Sequence, residues 1–588
     1  MALKREDVAE NRKWDLSSLF KSEKDYDDLS VKVAEKLKEI SAYEGKLDEN
    51  NALACLRLSS EIGRALERLY VYANLIKDEN TADPVAQARA EKIGILAAKC
   101  SSATSFIGAE LAKFPVKTLR RMAENEEFEA FSVMLNDVIR EKKHILSAKE
   151  EKIMSEISAF TGDFRNIFMM FDNADVKFGK VCVDGEDVEL THGAYSVLLQ
   201  NPSQEVRQKA FETYYASYRA SLNTVAATYA GSVKKDCTMS ALRGFPSALA
   251  RALYADDIKD SVYDNLISAV HGATPAVHDY IRYRKKALGL KELHMYDLYV
   301  PITEDYRLEM EYDDAYALVE DALAPLGAEY RELLERARAE RWIDVEETVN
   351  KRSGAYSWGM YDSNPYVLLN YRKTAHDVFT IAHELGHSMH SHYSRTSQCY
   401  EKSDYSIFVA EIASTVNEVL LLKYLISKAD GKARKYLLSY YLDMFRTTVF
   451  RQTMFAEFEK FAHELYEAGS PLTAENMSAE YMRLNKFYYG DGVISDDDIA
   501  IEWARIPHFY NAFYVYKYAT GMISAVNIAW KLLNEKGYVD KYKAFLSAGG
   551  SLYPLPTLAL AEVDLTKKAP FAFAMREFKD ALKEMKKL

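Results

Sequence analysis

The sequence predicts a mainly helical protein, and three observations support this prediction. Its 588 residues include only 13 prolines and 24 glycines, few for a loop-rich β-sandwich, and helix formers dominate. From residue 23 to about 170, apolar side chains recur with the period of amphipathic helices. Alternation typical of strands is confined to two short stretches, 175–191 and 366–371. The length predicts two or more packed lobes.

The predicted elements follow one another with recognisable start and turn signals. A first long helix begins after Ser22, which can cap it together with Asp25 three residues later. Residues 175–191 predict a β-hairpin that turns at Asp184-Gly185. A new helical series opens near residue 200, so we expect a helical N-terminal region at 1–200 and a catalytic domain at 201–588.

Charge and cysteine usage exclude several classes of protein. The net charge is -12 with no basic stripe, which disfavours a nucleic-acid partner. Five scattered cysteines, none in a CxxC pair, indicate reduced thiols rather than a disulfide framework. No uninterrupted apolar run approaches 18 residues and the N-terminus shows no signal-peptide core, so we expect a cytoplasmic protein without a membrane partner.

The stretch "IAHELGHSMH" at 381–390 has the residue types and spacing of a catalytic zinc helix. His383 and His387 are four residues apart and share one helix face, where two imidazoles can bind one ion. Glu384 lies to the side of that face, within reach of a zinc-bound water whose proton it can accept. The strand-like "YVLLNY" and a capping pair, Thr374 and Asp377, precede the motif, as its functional interpretation requires.

A chance match is a poor explanation of this motif. With 12 histidines in the chain, about 0.02 matches to the pattern are expected at random. A second, incomplete copy, "FAHELYEAG", contains His463 but no further histidine, and we interpret it as part of a surface helix. His390 and His392 are interpreted as neighbours of the motif rather than as ligands.

A third ligand is needed, because a catalytic zinc usually has three protein ligands and one open position. The extended pattern HExxHxxGxxH is excluded, since His390 and Tyr393 occupy the positions that need Gly and His. The next helix, "SIFVAEIASTVNEVLLLKYL", is almost entirely apolar and yet contains Glu411 and Glu418. A buried carboxylate needs a partner, so Glu411 is the predicted third ligand and Glu418 the predicted acceptor for a ligand imidazole.

Three stretches together resemble a known family: "YVLLNYRKTAHDVFTIAHELGHSMH", "SIFVAEIASTVNEVLL" and "WARIPHFYNAFYVYKYATG". They are similar to the oligoendopeptidase F branch of the thimet-oligopeptidase (M3) family of zinc metallopeptidases, specifically over about residues 350–525 and more loosely from 200. The resemblance implies a two-lobed helical ellipsoid with a deep central groove, zinc at its floor, and a small β-sheet next to the HExxH helix. Such a groove admits short peptides and excludes folded proteins.

Carried over position by position, the resemblance implies a complete site. One Zn²⁺ per chain would be bound by His383, His387 and Glu411, with Glu384 as general base and Glu418 orienting an imidazole. His508, Tyr510 and Tyr516 match family residues that stabilise the oxyanion. A substrate peptide is expected to pair with the strand "YVLLNY" as an added β-strand. The residues predicted to bind the peptide are Tyr366, Val367, Leu368, Leu369 and Asn370.

The predicted function is therefore a zinc-dependent oligoendopeptidase that hydrolyses internal bonds of short peptides. Three alternatives remain at this point: a dipeptidyl carboxypeptidase of the angiotensin-converting-enzyme type, a catalytically silent peptide-binding relative, and a structural metal site. The complete set of His383, Glu384, His387 and Glu411 argues against a silent relative, and a structural zinc would need a fourth ligand. Neither the cleavage preference nor the choice between monomer and homo-oligomer follows from the sequence.

Overall fold

The computed structural model describes residues 3–303 and 308–588, apart from the side chains of Ala148 and Ala159. Helix accounts for 71% and strand for 4%, which confirms the predicted mainly α class. Over the described residues, no helix combines the length and the apolar character that crossing a membrane requires.

The helices and strands up to residue 303 belong mostly to a long helical series. In chain order they are α1 (Glu23–Ser41), α2 (Ala52–Glu79), α3 (Pro84–Thr104), α4 (Phe106–Leu111), α5 (Val116–Ala123), α6 (Ser132–Glu141), α7 (Ala148–Thr161), α8 (Asp163–Met170), β1 (Lys180–Val183), β2 (Glu186–Glu189), α9 (His192–Leu198), α10 (Gln204–Ala220), α11 (Leu222–Leu242), α12 (Ala248–Ala255), α13 (Asp260–His271) and α14 (Thr274–Ala287).

The elements after residue 307 include those that carry the site. They are α15 (Tyr312–Ala322), α16 (Ala328–Ala339), β3 (Ile343–Glu346), β4 (Tyr356–Trp358), β5 (Tyr366–Tyr371), α17 (Ala375–Ser397), α18 (Ile407–Lys428), α19 (Gly431–Met444), α20 (Arg451–Glu467), α21 (Ala474–Tyr489), α22 (Tyr516–Asn534), α23 (Val539–Ser547), α24 (Pro554–Leu560) and α25 (Ala569–Met585). A short 3-10 helix, Pro507–Tyr510, lies between α21 and α22.

The chain divides into two compact units, each assembled from separated segments. The first unit comprises Met1–Lys143, Arg307–Tyr424 and Ile528–Val563, and the second comprises His144–Tyr306, Leu425–Asn527 and Asp564–Leu588. This division rests on compactness, whereas the boundary expected near residue 200 separates an N-terminal region from a catalytic domain. The boundary near residue 200 stays a prediction.

Several local predictions are confirmed. The Ser22 side chain accepts a hydrogen bond from the Asp25 backbone N–H at the start of α1. Strands β1 and β2 pair antiparallel about the Asp184-Gly185 turn, where both residues have positive φ. Asp184-Gly185 is favoured there because Asp and Gly tolerate the left-handed region that a tight hairpin turn needs.

In the first unit, β3, β5 and β4 form a sheet in that order, and α17 packs against it. Strand β5 pairs parallel with β3 on one side and antiparallel with β4 on the other. The predicted small sheet beside the HExxH helix is therefore present. The contact includes the Ser357 and Ser388 hydroxyls, 2.8 Å apart.

The position of β5 in the sheet argues against the prediction that it binds substrate by strand addition, because β3 pairs with one edge and β4 pairs with Tyr366–Leu368 on the other. Its side chains are also engaged: Tyr366, Val367, Leu368 and Leu369 are buried. Asn370 donates to the backbone carbonyls of Arg352 and Gly354, at 2.9 and 2.7 Å. The apolar character of "YVLLNY" reflects the position of β5 as a central strand whose two faces are both covered.

The main core of the first unit joins this sheet to the N-terminal helices. Tyr366 and Leu368 belong to the same buried cluster as residues of α1 to α6, such as Val33 and Leu69. The Tyr366 hydroxyl lies 2.5 Å from that of Ser18. The segment before residue 144 thus packs on the sheet that supports the HExxH helix.

Candidate active site

Helix α17 begins where the sequence predicts, at a capping box. The Thr374 hydroxyl accepts a hydrogen bond from the Asp377 backbone N–H, and the Asp377 carboxylate accepts one from the Thr374 N–H. Two turns later, His383 and His387 lie on one face and are half-buried. The cap fixes where the helix starts and therefore which face presents the two imidazoles.

Gly386, inside the motif, allows α18 to approach α17 at backbone distance. A Cβ at this position would lie 2.5 Å from Ser414 Cα and 2.8 Å from the Ala413 carbonyl oxygen. A side chain there would clash with backbone rather than with a movable side chain. The close crossing brings Glu411 and Glu418 of α18 beside the two histidines.

Three side chains converge in a group that could hold a metal ion. Glu411 Oε2 lies 3.4 Å from His383 Nε2 and 3.5 Å from His387 Nε2. The two Nε2 atoms are 3.2 Å apart. Ligands bound at about 2.0–2.1 Å to one tetrahedral zinc ion are separated by about 3.3–3.4 Å, so the three spacings fit such an ion. Among the described residues, this is the group of His, Cys, Asp and Glu side chains with such convergence.

Glu418 contacts the other nitrogen of His383. Its Oε1 accepts a hydrogen bond from Nδ1–H, which leaves Nε2 free to face Glu411 and His387. Burial alone would lower the pKa of His383, but hydrogen bonds to Glu411 and Glu418 outweigh it and raise the pKa to about 10. Burial likewise opposes ionisation of Glu411, yet both imidazoles hold its pKa well below the ordinary range. The two carboxylates therefore favour positive charge at His383 in the metal-free site, and a bound cation can take the place of that charge.

Glu384 lies where it can accept and donate a proton, and it is not one of the three converging side chains. Its side chain is buried, and burial raises its pKa, an effect that the neighbouring His383 and His387 oppose. The Ser357 backbone N–H, on β4, is directed at the same carboxylate. No strand in the described part of the chain pairs with the β4 edge that β5 leaves open. An unpaired strand edge therefore adjoins the candidate base.

Asn417 holds the two helices together and was not singled out from the sequence. Its Nδ2 donates to the Ala382 carbonyl of α17 at 3.0 Å, and its Oδ1 accepts from the Tyr330 hydroxyl at 3.1 Å. The residue is fully buried. The sequence did contain a signal for this role, an amide side chain in an almost entirely apolar helix, since a buried amide needs hydrogen-bond partners.

The segment that the resemblance associates with the oxyanion lies in the second unit. His508 is exposed, and its Nε2 lies 3.3 Å from the Tyr518 hydroxyl. The ring of Tyr514 is centred 6.2 Å from His508 and 5.3 Å from Tyr518. These three accessible side chains form one group, and neither tyrosine in it was assigned a role from the sequence.

Tyr510 and Tyr516, the two tyrosines predicted for this role, are core residues in the second unit. Tyr510 is 6% exposed and stacks on Phe168 with ring centroids 4.6 Å apart. Tyr516 is 1% exposed and its ring lies 5.1 Å from that of Tyr263. Burial therefore argues against these two phenols as donors to a substrate.

The remaining histidines of interest lie beside aromatic rings, with His390 buried and His392 half-buried. His390 is 0% exposed and stacks on Tyr405 at 3.6 Å, and the ring of His392 lies 6.4 Å from Trp342. Neither belongs to the metal-binding group. The prediction that His463 lies on a surface helix is wrong, because it is 1% exposed. The face of helix α20 that contains His463 is packed inside the protein, and the incomplete motif alone does not indicate this.

A mainly helical protein with a HExxH helix crossed by a second, glutamate-bearing helix is a metallopeptidase by class. The chain belongs to peptidase family M3, in its oligoendopeptidase F branch. The sequence model described as Peptidase family M3 matches residues 197–577, and the one described as Oligopeptidase F matches residues 110–178.

Individual relatives agree with this placement. The chain is 40% identical over 590 residues to Oligopeptidase PepF of Bacillus subtilis (strain 168), covering 99% of this chain and 88% of that protein. It is 37% identical to the Oligoendopeptidase F homolog of Lactococcus lactis subsp. lactis (strain IL1403), covering 100% and 99%. The crystal structure of oligoendopeptidase-F from Enterococcus faecium superimposes with a TM-score of 0.75 at 32% identity, covering 96% and 98%.

The family relationship reduces the alternatives that the sequence left open. The match is to peptidase family M3 over most of the chain. The relatives are named as oligopeptidases and oligoendopeptidases. The protein is a metallopeptidase whose substrates are peptides.

Proposed function

We propose that this chain is a zinc-dependent oligoendopeptidase that cleaves internal bonds of short peptides, with one zinc ion bound by His383, His387 and Glu411. The observation that carries the proposal is the convergence of two Nε2 atoms and one carboxylate oxygen at 3.2, 3.4 and 3.5 Å. Two imidazoles and one carboxylate favour zinc among the common divalent metals.

The side chains around the metal ligands have separate roles in this proposal. When bound, zinc supplies Lewis acidity, which lowers the pKa of a water molecule and polarises a carbonyl group. Glu418 fixes His383 in the tautomer whose Nε2 carries the lone pair, because its carboxylate accepts from Nδ1–H. Asn417 keeps α17 and α18 in register through the Ala382 carbonyl.

Glu384 acts as the general base and then as the acid. Its carboxylate accepts a proton from the attacking water, and the resulting carboxylic acid gives that proton to the nitrogen of the departing amine. Burial that raises its pKa brings the carboxylate closer to the strength needed to transfer a proton in both directions near neutral pH.

We assign substrate pairing to β4, Tyr356–Trp358, in place of β5. Its open edge offers backbone groups to an extended peptide, and Ser357 of the same strand adjoins Glu384. Main-chain hydrogen bonds along such an edge give affinity with little dependence on the substrate's sequence.

Stabilisation of the oxyanion is assigned to His508, Tyr514 and Tyr518. The family resemblance places this role on the segment, and accessibility and mutual contact select these three side chains within it. A phenol hydroxyl can donate to developing negative charge on the carbonyl oxygen of the substrate.

Two broader assignments complete the proposal. The catalytic domain is taken as residues 201–588, since this part contains the metal ligands, the base and the oxyanion group. A cytoplasmic location is proposed because all five cysteines are unpaired, as expected for a reducing compartment.

The proposal is tested by digesting a mixed peptide library, half of it blocked at both ends, with and without a metal chelator, and identifying products by mass spectrometry. We expect internal cleavage of short peptides, blocked ones included, that is lost with chelator and restored by zinc. Release of C-terminal dipeptides alone, with blocked peptides intact, would contradict the proposal.

The oxyanion assignment has its own test. Tyr514→Phe and Tyr518→Phe should each lower kcat with little change in KM, because the lost interaction forms only in the transition state. Tyr510→Phe distinguishes the two assignments, since the buried Tyr510 hydroxyl has no hydrogen-bond partner in the part of the chain that the structure describes. A loss of kcat in Tyr510→Phe with none in the other two would return the role to Tyr510.

A further inference from the structure

The loop between His508 and α22 contains a strained residue. Phe513 has φ of +56°, the left-handed region that a bulky side chain rarely adopts. Such a conformation is unfavourable for a residue with a side chain and persists only where the surroundings enforce it. Phe513 directly precedes Tyr514, so its backbone direction decides where that phenol points.

Glu459 of α20 holds the Phe513 amide. Its Oε1 accepts a hydrogen bond from the Phe513 N–H at 2.7 Å, and the side chain is 0% exposed. In the described part of the chain, Glu459 has no ion-pair partner, and its Oε2 has no hydrogen-bond partner. Burial, with the charge of Asp236 nearby, raises its pKa well above the ordinary value.

His463, one turn further along α20, contacts the Phe513 side chain. Its Nδ1–H donates to the Glu459 backbone carbonyl at 2.8 Å, which fixes the ring orientation. The ring centroid lies 4.6 Å from that of Phe513. On its other side, Phe513 meets Tyr263 edge-on at 6.2 Å. The incomplete motif around His463 therefore has a role, which is to pack the strained residue rather than to bind metal.

We propose that Glu459 is a positioning residue for peptide hydrolysis: a buried carboxyl group that holds the Phe513 amide and so presents Tyr514 and Tyr518 beside His508. Glu459 does not touch the substrate, and it acts through one backbone N–H. This inference rests on the proposed role of His508, Tyr514 and Tyr518 in the reaction.

The test compares three substitutions at this position. Glu459→Gln keeps an oxygen acceptor of the same reach, so kcat should stay within about threefold of the wild type. Glu459→Met removes the acceptor at similar volume and should lower kcat about tenfold or more with little change in KM. Glu459→Asp withdraws the acceptor by one methylene and should also lower kcat. If Glu459→Met does not fold, Glu459→Asp tests the proposal in its place.

Two controls separate positioning from a general loss of structure. Glu464→Met replaces an exposed glutamate on the same helix and should leave kcat and KM unchanged. In the Tyr514→Phe/Tyr518→Phe background, Glu459→Met should produce almost no further loss of kcat, because the groups it positions are already absent. Bound zinc, measured by mass spectrometry, should stay at one per chain throughout.

The outcomes distinguish this inference from the function on which it rests. If the tyrosine variants retain full kcat, the proposed oxyanion role is overturned. If they lose kcat but Glu459→Met and Glu459→Asp do not, or if their losses simply multiply with those of the tyrosine variants, the positioning role is overturned. It is also overturned if Glu459→Gln is as impaired as Glu459→Met.

Discussion

The histidines of α17 differ in what each ring contacts, and the contact determines its chemistry. His383 and His387 turn their Nε2 atoms toward Glu411, whereas His390, a turn later, lies between Tyr405 and Phe545. Spacing of four residues was enough to predict the ligand pair, because i and i+4 share a helix face. The role of His390 depended on aromatic residues distant in sequence, which no local pattern indicates.

Glu418 should determine metal affinity without binding the metal. Glu418→Ala removes the acceptor for His383 Nδ1–H, so we expect zinc affinity to fall about 10- to 100-fold. Competition with a chromogenic chelator measures it. Glu401→Ala, at an exposed glutamate before the same helix, serves as the matched control. Equal affinities in wild type and Glu418→Ala would refute the orienting role.

His390 should be a stability liability rather than a functional residue. Both ring nitrogens are buried and have no hydrogen-bond partner within the described residues, and burial lowers the pKa of His390 to about 3. His390→Phe keeps the aromatic stacking and removes the unsatisfied nitrogens. We expect the free energy of unfolding to rise by about 1 kcal/mol, seen as a higher melting temperature of the metal-free protein. His376→Phe, in the first turn of α17, is the control, and a lower melting temperature for His390→Phe would contradict this.

At the scale of elements, the site depends on how closely two helices cross. The sequence indicated both helices, but it did not reveal Asn417 as the link or Ser414 as the backbone contact. The sheet shows a similar limit. An apolar run such as "YVLLNY" predicts a strand, yet strand order depends on pairing with β3 and β4, which the run itself does not encode.

Gly386→Ala should separate the two helices and disable the site. A Cβ 2.5 Å from Ser414 Cα cannot be accommodated without backbone movement, so we expect both zinc content and activity to be largely lost. Gly94→Ala in α3 is the control, because a Cβ there meets nothing within 4 Å and alanine favours helix. Full zinc occupancy in Gly386→Ala would show that the crossing tolerates a wider spacing.

At the scale of the whole molecule, composition and periodicity predicted the helical class, because helix signals are local. The length predicted two or more lobes, but the segments that make up each compact unit were beyond such reasoning, since each unit combines segments far apart in the sequence. The proposed metal ligands His383, His387 and Glu411 belong to the first unit. His508, Tyr514 and Tyr518 belong to the second. The choice of Tyr514 and Tyr518 over Tyr510 and Tyr516 required knowing which of these side chains are buried. The sequence of a tyrosine-rich stretch does not show this.

The central claim is that Glu384 transfers the proton while His383, His387 and Glu411 hold the zinc. The most direct test measures zinc content and cleavage of an end-blocked peptide for wild type and Glu384→Gln side by side. We predict one zinc per chain in both proteins and a loss of kcat of about 10²- to 10⁴-fold in the variant. Wild-type cleavage by a zinc-loaded Glu384→Gln protein would contradict the claim.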